Sequence, residues 1–554
     1  MKSKSLLFAL MLSMAAPAWA VAPKNTEGGK GQALSLNSFL HHPKLVLVLV
    51  IDQFRADYLT RFESRFLPET AKNGQVGGFK YLMSKGAYFP FAQYDVLQNM
   101  TGPGHAMILS GSYPYRMGIP INDWYGGTGD SKTYCVLDKD NPQVGGTPDA
   151  PGMSPKNFLG TTVGDELKNA GYHSQVVTVA LKDRAAILMG GHRADIAVWF
   201  DPKAFAWVSS KFYLTQGKLP LWMQELNKEI QNTKGKDVHW IASGASTGLM
   251  VATDQEFSHN AVVGSKEAMS YPSGGAMTVQ AAEHALKAYD LGKGKSTDIL
   301  AVSFSSHDYL GHMYGPNSQE MEEMTVAEDR DISQLLNSVS KRVPGGLKDV
   351  LVVLTADHGI PPHPQYLKST TLNGGRIDSD EAVQRVEKRL EDAYGKPESG
   401  RWIPAHVDLN YYINWAAVKE KKLNPETVEN EIKDELLKTP GTALAFSKSD
   451  YFSGHLPPGL YKEQILHGYF PGRSGDVVVI PRIYYTDDTY PVSHMTGYAY
   501  DRTVPLVIAG PHIKRGVYSE HAAVIDLAPT LSFLLGVLPP TLSEGQVLSQ
   551  IIAE

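Results

Sequence analysis

The 554-residue sequence predicts an α/β fold, a central mostly parallel sheet flanked by helices, with inserted loop and helical cap segments. Three observations carry this. Four segments, residues 45–51, 175–181, 298–305 and 350–355, are apolar almost without a break. A strand with one wet face alternates apolar and polar residues; a strand covered on both faces does not, and helices cover both faces of a parallel sheet. Amphipathic stretches at 162–170, 276–291 and 320–343 lie between those runs, where parallel strands need crossover helices. Each run also leads into charged residues, reaching Asp52, Lys182, Asp308 and Asp357. In a parallel sheet these ends gather on one edge, where α/β proteins place their ligands.

Taken in order, residues 1–20 have the layout of a secretory signal: Lys2 and Lys4, a short apolar core at 6–14, then Ala18-Trp19-Ala20. Residues 21–43 are polar and rich in Gly, Lys and Asn, a loose leader. Residues 44–554 are expected to form a single domain, with insertions near 113–160, 205–270 and 360–475. After the first strand, 54–85 reads as helices and a loop, and 88–96 as a strand. A helix follows at 103–110, with Pro103 in its first turn. The Gly-, Pro-, Asn- and Tyr-rich stretch 113–149 contains Asn122-Asp123-Trp124-Tyr125; a loop of that length is more often functional than idle. A hairpin strand is expected at 197–201. The 360–475 insertion carries helices at 379–394 and 425–437. Strands at 476–480 and 504–509 and a helix at 525–535 complete the chain.

A net charge of −6 gives no nucleic-acid footprint. No apolar run approaches the roughly 18 residues of a spanning helix. With the signal, this predicts a periplasmic or secreted protein. Cys135 is the only cysteine, so there is no internal disulfide, no lipid-anchor Cys after the signal and no thiolate zinc site. A metal must be held by His, Asp and Glu.

Thr101, in Gln98-Asn99-Met100-Thr101-Gly102-Pro103-Gly104-His105, lies where a helix begins. Unpaired backbone N–H groups and the helix dipole there favour an anion. Alone, such a Thr is an ordinary helix cap. Its company changes that. Lys182 and Arg184 end an apolar strand and suit the same anion. Asp308 and His312, four apart, share one face of a helical turn. Asp357 and His358 directly follow another strand. Carboxylates and imidazoles without Cys fit two zinc ions in a hydrolytic site. Two metals suit phosphoryl transfer: one lowers the pKa of an attacking hydroxyl, the other holds the leaving oxygen.

Val50-Ile51-Asp52-Gln53-Phe54-Arg55, the Thr101 turn, Asp308-Tyr309-Leu310-Gly311-His312 and Ala356-Asp357-His358-Gly359 resemble the alkaline phosphatase superfamily. Asn122-Asp123-Trp124-Tyr125 and Leu181-Lys182-Asp183-Arg184-Ala185 resemble one branch of it, the bacterial monomeric phosphate-irrepressible alkaline phosphatases with a Thr nucleophile. The resemblance implies a monomeric phosphatase acting on small phosphate monoesters, with Thr101 attacking phosphorus to form a phosphothreonine. It implies one zinc held by Asp52, Asp357 and His358 and activating Thr101, and a second held by Asp308, His312 and His494. Asn122, Lys182 and Arg184 would bind the non-bridging oxygens. Spacing alone leaves His363, His455 and His467 open beside His494. The match runs through Ser493-His494 and the Gly497-Tyr498 that follow, with Met495 where the family often has Gly. His105 matches no ligand position and reads as a supporting or structural residue. A phosphodiesterase of the same superfamily is the nearest alternative, disfavoured by the Lys-x-Arg and Asn group that suits a dianion. A non-catalytic exported metal-binding protein is the alternative of another class.

Overall fold

The computed structural model describes residues 42–126, 132–244, 257–487 and 489–553. The expected secretory signal and nearly all of the leader lie outside the described residues.

Ten strands form the central sheet: β1 (Leu45–Ile51), β2 (Gly86–Gln93), β3 (Gln143–Val144), β4 (Val176–Ala180), β5 (Ile196–Asp201), β6 (Ala206–Ser210), β7 (Asp298–Phe304), β8 (Val350–Thr355), β9 (Thr503–Ala509) and β10 (Gly516–Val517). Their order across the sheet is β10-β2-β9-β8-β1-β7-β4-β5-β6-β3. The middle five, β8-β1-β7-β4-β5, are parallel throughout. All seven residues of β1 are fully buried, which explains its lack of any polar alternation. The flanks run antiparallel: β9 against both β8 and β2, and β6 against β5 and β3. The hairpin strand expected at 197–201 is β5, turning into β6.

The parallel register sets the four predicted ends side by side. Ile51 pairs with Phe304, Val50 with Thr355, and Ser303 with Ala180. One residue or two beyond these pairs, the chain leaves the sheet at Asp52, Lys182 and Asp357, and β7 runs on into a helix bearing Asp308.

Three short helices start at this edge: α1 (Thr101–Ser110), α2 (Asp183–Gly190) and α3 (Ser306–Tyr314). Every residue of α1 is buried. It passes so close to the end of β8 that a Cβ on Gly104 would stand 2.3 Å from the Asp357 carbonyl oxygen. Glycine is required there for steric reasons alone. α1 begins two residues earlier than the expected 103, which makes Thr101 its first residue.

The 360–487 part of the chain builds a second, four-stranded sheet from Ala405–Val407, Asn410–Tyr412, Thr442–Ser447 and Val477–Pro481. Helices Ser379–Tyr394 and Pro425–Leu437 share its core around Trp402, Ile432 and Val477. The strand expected at 476–480 therefore forms, but pairs in this smaller sheet. Residues 205–270, expected as an insertion of short helices and loops, also hold β6 and a hairpin of Asp237–Ile241 with Ser258–Val262. No helix among the described residues is long and apolar enough to cross a membrane.

Candidate active site

Thr101 does not act as a cap. Met100 holds the cap position without a side-chain bond, whereas Thr162 shows the real pattern by accepting from the Asp165 N–H at 3.2 Å. The Thr101 hydroxyl oxygen instead lies 3.3 Å from the Lys182 ammonium and 3.3 Å from an Arg184 guanidinium nitrogen. A hydroxyl at the N-terminus of a buried helix, between two cations, is placed for work on an anion.

Local sequence explains each partner. Lys182 is the residue before α2, and Arg184 lies in its first turn. Lys182 reaches Asp52 Oδ2 at 2.7 Å and Asp308 Oδ2 at 2.5 Å. Burial would lower its pKa, but Asp308 and Asp52 outweigh burial and hold the ammonium above its ordinary value. Arg184 is braced by the Tyr134 hydroxyl at 3.2 Å, which itself donates to Asp183 at 2.5 Å. Asn122 Oδ1 accepts from the Gly102 N–H at 2.7 Å, tying the loop after α1 back to its first turn and leaving the amide NH₂ for other partners. Cys135 is buried beside this turn and burial pushes its thiol far above the usual range, so it is an inert filler.

The carboxylates and imidazoles gather in two compact groups, Asp308-His358-His494 and Asp52-His105-Asp357, each with candidate ligand atoms within 4.8 Å of one another. The resemblance divides them differently, placing His358 with Asp52 and Asp357 and His312 with Asp308 and His494. The structure shows why His358 belongs to neither side alone. Its Nε2 lies 3.5 Å from Asp52 Oδ1 and 3.3 Å from Asp357 Oδ2, while its ring stacks on His494 at 3.7 Å. His312 Nε2 is 3.3 Å from Asp308 Oδ1, four residues back on α3 as expected. His494 Nε2 is 3.8 Å from the same oxygen. His363, His455 and His467 are in neither group.

Two features fit metal ions. Asp52 Oδ1 and His358 Nε2 face each other in the buried site and have no hydrogen-bond partner. Buried polar atoms are rarely left so, and a cation between them supplies the missing partner. The three imidazoles are also turned alike. Nδ1 donates to a main-chain carbonyl in each: Val492 for His312 at 2.7 Å, Asn99 for His494 at 2.7 Å, and Gly359 for His358 at 3.0 Å. That assigns the proton to Nδ1 and points Nε2 inward. Burial lowers the pKa of His358 and, with the neighbouring His358 and His312, sends His494 well below the ordinary value. Neutral imidazole is the form that binds metal. Burial and the Asp357 carboxylate raise Asp52, while Asp308 and Asp357 stay low despite burial. Lys182 and His312 hold down the first, His358 and His105 the second.

Sequence reasoning gave no role to Gln53. It is buried in a left-handed conformation (φ 71°); its N–H donates to Asp357 Oδ1 at 3.0 Å and its amide to Asp308 Oδ1 at 2.8 Å. This one residue ties the two groups together, and a non-glycine held at positive φ at such a place is the usual signature of a functional constraint. His105, read as a supporting residue, bridges the Thr101 carbonyl at 2.9 Å and the Ser303 hydroxyl at 2.8 Å, with Nδ1 3.1 Å from Asp357. Met495, at the position where the resembling family often has Gly, has φ 97° and is buried. The backbone there keeps a glycine-like conformation, and the core holds the Met side chain in it.

The family model described as type I phosphodiesterase / nucleotide pyrophosphatase matches residues 46–494. Alkaline phosphatase PhoV of Synechococcus elongatus is 32% identical over 533 residues, covering 92% of this chain and 93% of that protein. Alkaline phosphatase PafA of Elizabethkingia meningoseptica is 30% identical over 538 residues, covering 92% and 94%. The crystal structure of PafA superposes with a TM-score of 0.82 at 29% identity, over 92% of this chain and 99% of that one.

Proposed function

Because the chain belongs to the type I phosphodiesterase / nucleotide pyrophosphatase family of the alkaline phosphatase superfamily, we propose that it is an exported two-zinc alkaline phosphatase that hydrolyses phosphate monoesters through a phosphothreonine and releases inorganic phosphate. The observation that carries this reading is the Thr101 hydroxyl, 3.3 Å from both Lys182 and Arg184 and set beside the two His/Asp groups. Two cations meeting one hydroxyl match a phosphoryl group with two full negative charges, which a monoester has and a diester lacks.

The proposed ligands are Asp52, Asp357, His358 and Thr101 for one ion and Asp308, His312 and His494 for the other, with His358 in reach of both. When bound, zinc lowers the pKa of the Thr101 hydroxyl and offsets charge on the departing oxygen. The N-terminus of α1, Lys182, Arg184 and the Asn122 amide hold the non-bridging oxygens. The Thr101 hydroxyl gives its proton to solvent and its oxygen bonds to phosphorus as the ester P–O bond breaks, and the alcohol leaves with a proton from water. Water then attacks the phosphothreonine, its oxygen bonding to phosphorus as the Thr101 O–P bond breaks; Thr101 regains a proton from water and phosphate departs. Gln53 and His105 move no proton; they keep Asp308, Asp357 and the start of α1 in place.

The test is a paired rate measurement on the mature protein with an aryl phosphate monoester and the matching aryl methyl diester, as isolated, after chelation and with zinc restored. A strong monoester preference that zinc restores is the expected result. A diester preference overturns the assignment of Asn122, Lys182 and Arg184 to a dianion. No turnover in any metal state favours the non-catalytic binding protein.

A further inference from the structure

Beside His312 the chain forms a cavity of about 170 Å³ lined by four tyrosine rings, Tyr271, Tyr309, Tyr314 and Tyr490, together with the aliphatic Leu310 and Met313. Two of its lining residues touch the site already described. His312 lies 3.3 Å from Asp308 and stacks on the Tyr490 ring, with centroids 4.7 Å apart. The Tyr309 ring lies 5.2 Å from the Lys182 ammonium. The cavity therefore lies against the His312 side of the site, which in the phosphatase reading is the side of the departing oxygen. Among the described residues its charged lining side chains are Lys266 and Glu267, of opposite sign, so it selects by shape and ring character rather than by charge. On the other flank, a cavity of about 400 Å³ is lined by Lys182, Arg184, Asp201 and Lys203 and suits polar groups.

An apolar cavity of roughly 150 Å³ is enough to hold a benzene molecule. We propose that the aromatic cavity is the leaving-group subsite and that it selects monoesters whose departing alcohol carries one flat aromatic ring. This rests on the phosphomonoesterase reading above. The rings of Tyr490, Tyr271 and Tyr314 offer the stacked or edge-on contacts that favour an aromatic over a saturated group of equal size. The ring can come from an aryl alcohol or, one sugar further out, from a nucleoside.

Two substrate pairs separate these sources. Benzyl phosphate against cyclohexylmethyl phosphate places a ring next to the ester. Uridine 5′-monophosphate against ribose 5-phosphate places it beyond a sugar. All four depart as primary alcohols, so the ratio of kcat/KM within a pair reads the ring. With the zinc-loaded full-length enzyme, we expect a ratio of about threefold to tenfold in the arm whose ring reaches the cavity. That ratio falls to near one in Tyr490→Leu and survives in Tyr490→Trp. A general loss from disturbing His312 cancels in the ratio. Ratios near one in both arms refute the subsite while the phosphatase reading stands. A ratio that persists through both Tyr490→Leu and Tyr314→Leu refutes it as well. No turnover of any of the four overturns both readings.

Discussion

Arg184→Ala removes one of the two cations that meet the Thr101 hydroxyl, and the structure sets the size of the loss. Arg184 Nη2 is 3.3 Å from that oxygen, so a phosphorus bonded there carries its non-bridging oxygens within ~5 Å of the guanidinium. At that distance one unit of charge is worth about 3 kcal/mol with an effective dielectric of about 20. Water entering the vacated space screens part of it, leaving about 2 kcal/mol, or roughly a 30-fold effect. A monoester dianion carries one more negative charge than the matching methyl diester, so this factor is a difference between the two substrates. The expected outcome is a fall in monoester kcat/KM about 30-fold greater than the fall in diester kcat/KM. Arg184→Lys should recover part of it. The brace survives the change, because Tyr134 still donates to Asp183, so thermal stability serves as the control for folding. Equal losses on both substrates, within a factor of about two, would show that Arg184 does not act on the dianion.

Thr101→Ala should reduce monoester turnover by at least roughly a thousandfold, with zinc content by elemental analysis and Tm close to the parent's; retained turnover ends the nucleophile assignment. Gly104→Ala forces α1 away from Asp357, since its Cβ would lie 2.3 Å from that residue's carbonyl oxygen. A displacement on the scale of an ångström predicts a loss in kcat of about a hundredfold in a protein that still folds, and parent-like kinetics would contradict the close approach. In Met495→Gly two effects compete. Relief of the positive φ contributes about 1–2 kcal/mol, while emptying a buried Met site costs about 2–5 kcal/mol, so the variant should be less stable in urea unfolding by about 1–3 kcal/mol. A more stable variant would mean that backbone strain outweighs packing there.

The middle of the sheet was legible because its strands are buried on both faces and each leads into a charged group. Continuous apolar runs announce such strands, and a parallel register brings Asp52, Lys182, Asp308 and Asp357 to one edge. On the antiparallel flanks the longer strands Gly86–Gln93 and Thr503–Ala509 were legible, as was Val477–Pro481 of the second sheet, but their pairing was not, and strands of two or three residues such as Gln143–Val144 and Asn410–Tyr412 are too short to show a period. His494 came only through the resemblance; nothing in its spacing separates it from His467. Gln53 was quoted within a motif yet given no role, because what marks it is a left-handed φ that no side-chain pattern encodes. The ring-lined cavity was out of reach for a similar reason. Tyr271, Tyr314 and Tyr490 come from three distant segments, and only the folded chain makes them neighbours.

The carbonyls of Asn99, Gly359 and Val492 that turn the three imidazoles have a consequence for how the protein tolerates change. A side-chain acceptor can be deleted by one substitution. A peptide oxygen is present whatever amino acid occupies the position. Drift at 492 therefore leaves the orientation of His312 intact for as long as the main chain keeps its path, whereas position 359 is held to glycine, since a Cβ there would stand 2.2 Å from the Tyr500 carbonyl oxygen, and Asn99 is tied by its own amide to the Val96 and Thr496 carbonyls. The vulnerable changes are those that reroute it, such as a deletion, an insertion or a misplaced proline. The aim of the imidazoles is thus inherited with the course of the backbone, and their robustness is that of the fold itself.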